Sequence, residues 1–286
     1  MRDGILVFGA SSSTGRVLLQ ALSGTVWAVS RQADSTRPAE RRPHWLRGSL
    51  PELTLPPDCR PAQIASLGPL PDFAAWLQRQ PWRPQRVVAL SSASAVHKAR
   101  SAAEAERTLA ARLIEAERQL HTLARQDGFA GIVLRPTLIW GGGHCALSRL
   151  AHLARRWRWV PRPWPVGGAR TPLHHRDLAA AVGALLSRPH TPSAGEALLL
   201  GGAHTLAIGD LVRAVVRSVG ARCLRLPTAI LSGGQALARR AGLAFGEGLF
   251  GRWPQDQSVD SAAVWSHLGL APRGFDPQPA DWEDRQ

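Results

Sequence analysis

The chain of 286 residues contains no tyrosine, a single lysine, a single methionine and three cysteines. Without tyrosine, no phenol can act as an acid, a base or a nucleophile. Cys59, Cys145 and Cys223 are odd in number, widely spaced and in no CxxC pair, which excludes a disulfide framework and a cysteine-rich zinc site. Three reduced thiols and no metal are therefore expected. The longest apolar runs, Ile5 to Ala10 and Ala197 to Leu200, fall far short of the roughly 20 residues that cross a bilayer. No stretch of secretory type follows Met1 to Gly4, so the expected compartment is the cytoplasm.

What is present points to a folded domain of ordinary density. The chain is 44% hydrophobic and 20% charged, which excludes disorder over most of its length. Its formal net charge of +14 would attract phosphates of any kind, on nucleotides, nucleic acids or membranes. Lys98 is the one lysine among 35 basic residues, and this arginine preference, alongside abundant Ala, Pro and Trp, is a bias of composition. The charge alone selects no partner.

Apolar, β-favouring residues at Ile5 to Phe8 lead into the small-residue turn Gly9-Ala10-Ser11-Ser12-Ser13-Thr14-Gly15. Val17, Leu18, Ala21 and Leu22 then recur at helical spacing until Gly24, and a second β-rich run spans Thr25 to Ser30. The pattern predicts a βαβ unit. Further strands are expected around Trp45-Leu46, at Ala62 to Leu67, at Arg86 to Leu90 and at Ile132 to Leu134. Helices are expected at Phe73 to Gln80 and at Ser101 to Gln126, the latter with Leu109, Leu113, Ala116 and Leu120 on one stripe. Gln32 to Pro61 reads as loop around one short strand. Asp177 to Leu186 and Ala197 to Leu200 add a helix and a strand. Strands alternating with helices imply an α/β fold with a doubly wound parallel sheet.

The turn after the first strand carries the main functional signal. Amides at a helix N-terminus point outward with partial positive charge and suit a pyrophosphate. Gly9 permits the tight turn and Gly15 permits close helix packing. Ser12 or Ser13 stands where the dinucleotide fingerprint has its middle glycine. Ser11, Ser12, Ser13 and Thr14 each bring a hydroxyl. The end of the second strand normally chooses the nucleotide: an acidic residue grips the ribose diol of NAD, whereas arginine accommodates the extra phosphate of NADP. Here Ser30 and Arg31 occupy it, with Arg16 nearby, so NADP(H) is expected in preference to NAD(H).

Together, ILVFGASSSTGR, RVVALSSASAVH, IVLRPTLIWGGG, TPLHHRDLAAAV and the tail SVDSAAVWSHLGLAPRGF resemble the extended or atypical short-chain dehydrogenase/reductases, more narrowly the NAD-dependent epimerase/dehydratase-like proteins. The resemblance spans essentially the whole chain. It implies a Rossmann core with strand order 3-2-1-4-5-6, formed by residues 1–140 and completed by 171–205. Residues 141–170 and 206–286 would form a substrate-binding subdomain. It further implies that Leu67, Gly68, Ser91 and Pro136 join the turn in lining the cofactor site.

Active members of that superfamily place a Ser or Thr just beyond the fifth strand and a Tyr-x-x-x-Lys on the next long helix. Here Ala93 falls at the hydroxyl position, between Ser92 and Ser94, and Leu109 and Leu113 fall at the dyad positions. General acid-base assistance is worth about 10² to 10⁴ in rate, so a reductase of this kind needs another acid. His97, just past the fifth strand, is the leading candidate, with Ser92 and Ser94 beside it. His174 and His175, preceding the helix-capping Asp177, and His144 with Cys145 are weaker candidates. The expected function is an NADP(H)-dependent oxidoreductase acting on a small carbonyl or sugar-nucleotide-like compound. The alternative is a non-catalytic dinucleotide sensor or assembly protein. His152 to Trp164 interleaves arginines with Trp157, Trp159 and Trp164, which suits gripping an anionic substrate better than binding nucleic acid or a membrane surface.

Overall fold

The computed structural model describes residues 4–32, 43–57, 59–99, 101, 103–143, 145–164, 168–188, 197–227 and 256–283. In chain order the first elements are β1 (Ile5–Phe8), α1 (Ser13–Ala21), β2 (Val26–Ser30), β3 (His44–Arg47), β4 (Gln63–Ser66), α2 (Leu70–Gln78) and β5 (Arg86–Leu90). There follow α3 (Ser94–Lys98), α4 (Glu104–Asp127), β6 (Ala130–Pro136), β7 (Ile139–Trp140), α5 (Ala146–Trp157), β8 (Trp159–Trp164), β9 (Ala169–Arg170) and β10 (Leu173–His174). After these come α6 (His175–Ser187), β11 (Leu198–Leu200), β12 (Leu206–Ala207), α7 (Ile208–Ser218) and β13 (Arg222–Pro227).

The chain divides into two compact units. The first comprises Met1–Thr137, Arg176–Leu200 and Ser261–Ala271. Its centre is a seven-stranded sheet in the order β11-β6-β5-β4-β1-β2-β3, and every pairing in it is parallel. The strand order 3-2-1-4-5-6 is the expected one, extended by β11. Alternation along the strands sends Leu6, Phe8, Ile64, Val87, Ala89 and Val133 to one face, where they form a core with Phe73, Trp76 and Leu77 of α2 and with Ala116 and Leu120 of α4. Val7, Ala65 and Val88 are equally buried on the opposite face, the side on which Leu18 of α1 approaches Gly183 of α6. Burial on both faces is why these strands read as continuous apolar runs. α4 lies close against β6: a Cβ on Gly131 would stand 2.7 Å from that of Ala124.

The second unit comprises Leu138–His175, Gly201–Asp260 and Pro272–Gln286. Its core gathers Leu147, Leu150, Ala151 and Ala154 of α5 with Ile208, Leu211, Val212 and Val215 of α7, and includes Trp140, Val160 and Trp282. Parallel β8 and β13 form a two-stranded ribbon.

Two boundaries differ from the sequence reading. The expected subdomain took in all of 206–286, but Ser261–Ala271 lies in the first unit. Its helix Ala262–Leu268 buries Trp265 and Leu268, and Arg188 donates to the carbonyls of His267 and Leu268. The long helix was expected from Ser101 to Gln126; instead a separate short α3 precedes α4. The apolar stripe also runs out toward the N-terminus of α4, where Leu109 is 43% exposed.

Candidate functional site

The sheet reverses its direction of growth between β1 and β4, and in such sheets the crevice beyond the carboxyl ends of these strands is where ligands bind. The turn after β1 is built tightly there. Gly9 has φ +72°, a left-handed conformation that costs a non-glycine residue about 1 kcal/mol or more. The Ser12 N–H donates to the Gly9 carbonyl at 3.0 Å, and the Arg16 N–H to that of Ser12 at 2.8 Å. A Cβ on Gly15 would stand 2.3 Å from the Gly9 oxygen and 2.7 Å from that of Ala10. The start of α1 therefore lies directly against the turn, with no acidic residue in its first turn to oppose an anion.

The serines are not equivalent. Ser12 is the N-cap of α1, its Oγ accepting the Gly15 N–H at 3.0 Å. A hydroxyl that accepts keeps its own hydrogen to donate. Ser11 and Ser12 are exposed and Ser13 is half-buried, whereas Thr14 is buried and presents little to a ligand. Arg16 folds back over the turn, its guanidinium donating to the Ser11 carbonyl at 3.1 Å.

At the end of β2, Ser30 is buried and its Oγ accepts the Gln32 N–H at 3.3 Å, while Arg31 is exposed. Parallel register sets Ser30 beside Arg47, itself exposed at the end of β3. Sequence reasoning missed Arg47. A strand was legible around Trp45-Leu46, but only its register with β2 reveals that the following arginine stands beside Ser30.

Leu67 and Gly68 follow β4, and the Leu67 N–H donates to the Phe8 carbonyl at 3.1 Å, holding the β4 loop against the start of the turn. Just before them, the Ser66 hydroxyl is fully buried and, among the described residues, has no hydrogen-bond partner. Beyond β5, the Ser91 N–H donates to the Leu134 carbonyl at 2.7 Å and the Ala93 N–H to that of Pro136 at 3.0 Å, which locks this loop to the end of β6. The Ser92 and Ser94 hydroxyls are 2.8 Å apart and bonded to one another. His97 is half-buried in the last turn of α3.

α4 carries one feature that the sequence did not reveal. Glu117 is only 5% exposed. It accepts a hydrogen bond from the Ser91 hydroxyl and two from the Arg135 guanidinium, one of them at 2.9 Å from Nε. The buried pair ties α4 to β5 and β6, so Ser91 is held by its side chain from below. One turn further, His121 is buried and, among the described residues, neither ring nitrogen has a hydrogen-bond partner. Burial holds its pKa below the usual value, with Arg125 and Arg135 adding to the effect and Glu117 opposing it.

In the second unit, His174 and His175 are buried. The His174 ring meets Trp140 edge-on at 4.5 Å, with its Nδ1 3.4 Å from Arg273 and its Nε2 3.7 Å from Asp281. Burial pushes the Asp281 carboxyl up, but His174, the Gln278 amide and His175 together outweigh it and hold it low. A Cβ on Gly141 would stand 2.7 Å from His175, so the two imidazoles are packed beneath backbone. α6 begins at His175, which places Asp177 inside the first turn and not at the cap. Cys145 is the N-cap of α5, its Sγ accepting the Ser148 N–H at 3.3 Å, and His144 lies outside the described residues. Among the described residues, no group of three or more His, Cys, Asp or Glu side chains could hold a metal ion, and no helix is long and apolar enough to cross a membrane.

The basic and aromatic stretch from His152 to Trp164 divides between elements. Trp157 and Trp159 are half-exposed at the end of α5 and the start of β8, whereas Arg162 is buried. Arg155 pairs with Glu283 at 3.3 Å.

No protein-family model matches the chain, and no curated protein matches it in sequence. Solved structures do resemble it. The UDP-glucuronic acid 4-epimerase from Bacillus cereus, in complex with UDP-glucuronic acid and NAD, superposes with TM-score 0.70 at 15% identity over 98% of each chain. MoeE5, in complex with UDP-glucose and NAD, gives 0.67 at 20% identity over 98% of this chain and 97% of its own. TunA, an NAD-dependent NDP-hexosamine 5,6-dehydratase involved in tunicamycin biosynthesis, gives 0.65 at 16% identity over 96% and 94%. The fold of this chain is therefore the α/β, Rossmann-type fold of these sugar-nucleotide epimerases and dehydratases.

Proposed function

We propose that the protein binds a nicotinamide dinucleotide in the turn between β1 and α1, with NADP(H) preferred, and uses it as an oxidoreductase on a small carbonyl or sugar-nucleotide-like compound. The observation that carries this reading is the absence of space at Gly15. A Cβ there would collide with the backbone of Gly9 and Ala10, so the turn is folded as tightly as a phosphate cradle requires although its middle glycine is a serine.

The residues fit the group in distinct ways. The N-terminus of α1, with the Ser11 and Ser12 hydroxyls, would hold the pyrophosphate. Arg31 and Arg47 flank Ser30 where a 2′-phosphate would lie, and a charge-assisted bond from one of them is worth about 1.5–3 kcal/mol. This supports NADP(H) even though two of the similar structures named above are in complex with NAD. Leu67, Gly68, Ser91 and Pro136 would line the remainder of the crevice. A bound nicotinamide gives or takes a hydride, and the chain's own part is to orient the substrate and move a proton. His97, with the Ser92–Ser94 hydroxyl pair, is the proposed donor, releasing its proton from an imidazole nitrogen.

A second reading, a non-catalytic dinucleotide sensor or assembly protein, rests on the total lack of tyrosine. NADPH oxidation against a panel of carbonyl compounds and sugar nucleotides decides between them. Turnover that falls about 10²-fold or more in His97→Ala, with NADPH affinity unchanged, supports the enzyme. Tight NADPH binding without turnover on any member of the panel rejects it in favour of the sensor.

A further inference from the structure

The end of α5 and the β8–β13 ribbon carry exposed rings and arginines together. Trp157 closes α5 and Trp159 opens β8, and both are half-exposed, whereas Trp76, Trp82, Trp140, Trp265 and Trp282 are buried. The ribbon's register sets Arg222 beside Trp159 and Leu224 beside Pro161, so alternation puts these four side chains on one face. All four are exposed. Val160 and Arg162 point to the opposite face, where they are buried and α7 packs against β8. The tryptophans of the basic run therefore line no pocket with Arg162; they stand on the surface.

The charge there has one sign. Arg156, Arg158 and Arg222 are exposed, and the Arg222 guanidinium lies over the Trp159 ring, 5.8 Å from its centroid. The sequence has no Asp or Glu anywhere in residues 128–176 or 211–246. Glu283, the acid at this end of α5, pairs with Arg155 at 3.3 Å. Three kinds of occupant would use such a face differently. A second copy would set arginine against arginine with no carboxylate between them. A nucleic-acid strand would stack on the indoles, but Leu224 and Pro161 offer it neither a stacking face nor a hydrogen bond. An anionic bilayer uses every component: indoles sit at headgroup level, aliphatic side chains reach toward the acyl boundary, and arginines keep their heads in the negative potential of the lipid phosphates.

We propose that this face docks on the surface of a membrane rich in anionic lipids, with Trp157, Trp159 and Leu224 entering the headgroup region and Arg156, Arg158 and Arg222 meeting its negative potential. The contact is peripheral, since among the described residues no helix is long and apolar enough to cross a membrane. It goes beyond the dinucleotide reading and stands apart from it, because no residue of the β1–α1 turn takes part. Its electrostatic share weakens as salt rises, whereas the share of the rings does not.

Co-sedimentation of the full-length protein with phosphatidylcholine vesicles, with and without phosphatidylserine, reads the docking. Binding is expected only where phosphatidylserine is present. A net charge of +14 would by itself draw the protein to anionic vesicles, so the main variant keeps that charge. Trp157→Ser combined with Trp159→Ser should weaken binding about tenfold or more, with thermal unfolding unchanged because both rings are already half in water. Arg158→Gln combined with Arg222→Gln should weaken it about fivefold for each arginine. Arg112→Gln combined with Arg118→Gln removes the same charge from exposed positions on α4 and should leave binding nearly unchanged. Brominated lipid should quench the fluorescence of the wild type more than that of the tryptophan variant. No binding to phosphatidylserine vesicles, equal binding to phosphatidylcholine alone, binding retained by the tryptophan variant, or an equal loss in the Arg112 and Arg118 variant would each overturn the proposal. A single-stranded oligonucleotide bound more tightly than the vesicles, with the same dependence on Trp157 and Trp159, would also overturn it and give the face to nucleic acid.

Discussion

Replacing Gly15 with alanine sets two effects of known size against each other. Gly15 is the third residue of α1, and alanine in a helix is favoured over glycine by about 1 kcal/mol, so propensity alone predicts a more stable protein. The added Cβ, however, would stand 2.3 Å from one carbonyl oxygen and 2.7 Å from another, both of them backbone. Relief requires the turn and helix to separate by about 1 Å, and overpacking of this kind costs about 1–3 kcal/mol. The net expectation is a loss of up to about 2 kcal/mol, read from urea unfolding. Misplacing a positioned contact by 1 Å can cost about a hundredfold, so NADPH affinity should fall about tenfold or more. Gly24→Ala is the control. It has φ +84° but open space around it, so it should cost about 1 kcal/mol of backbone strain and leave NADPH affinity unchanged. A Gly15→Ala protein as stable as the wild type, binding NADPH as well, would refute the close-packed cradle.

Glu117→Ala leaves Arg135 without its carboxylate, and breaking a buried pair costs about 3–5 kcal/mol. The lower end is expected because the Arg135 side chain keeps 19% exposure; a loss under about 1 kcal/mol in urea would show the pair to be dispensable. His121, held neutral by burial, makes the protein acid-sensitive: the unfolded chain takes up the proton first, so its contribution is present above the ordinary histidine range and is lost as pH falls through it. His121→Leu should flatten that part of the stability curve, and an unchanged slope would contradict it. Replacing both Arg31 and Arg47 by alanine should weaken NADPH binding about tenfold or more and leave NADH unaffected, as read by fluorescence titration. Equal loss for both nucleotides would assign the two arginines to stability.

The legible parts of the fold were those where local chemistry and tertiary demand agree. β1, its small-residue turn and α1 could be read because a doubly buried strand must be apolar throughout and a helix packed on a turn must begin with small residues. β5 fell where expected, Arg86 to Leu90, for the same reason. What could not be read depended on register and on long-range pairing. Arg47 matters only because β3 lies beside β2. Glu117 looks like any helix-surface glutamate until Arg135 of β6 is placed against it. Arg162 stands in a basic, aromatic run that suits gripping an anion, whereas strand alternation turns it inward and leaves Trp159 outside. Leu109 completes a helical stripe in the sequence, but no core reaches that end of α4.

Isothermal titration calorimetry of the purified full-length protein with NADPH and NADH tests the central claim most directly. The account predicts saturable heat from NADPH at one site per chain, with NADH bound more weakly. No heat from either nucleotide, reduced or oxidised, would contradict it and leave the β1–α1 turn as packing alone.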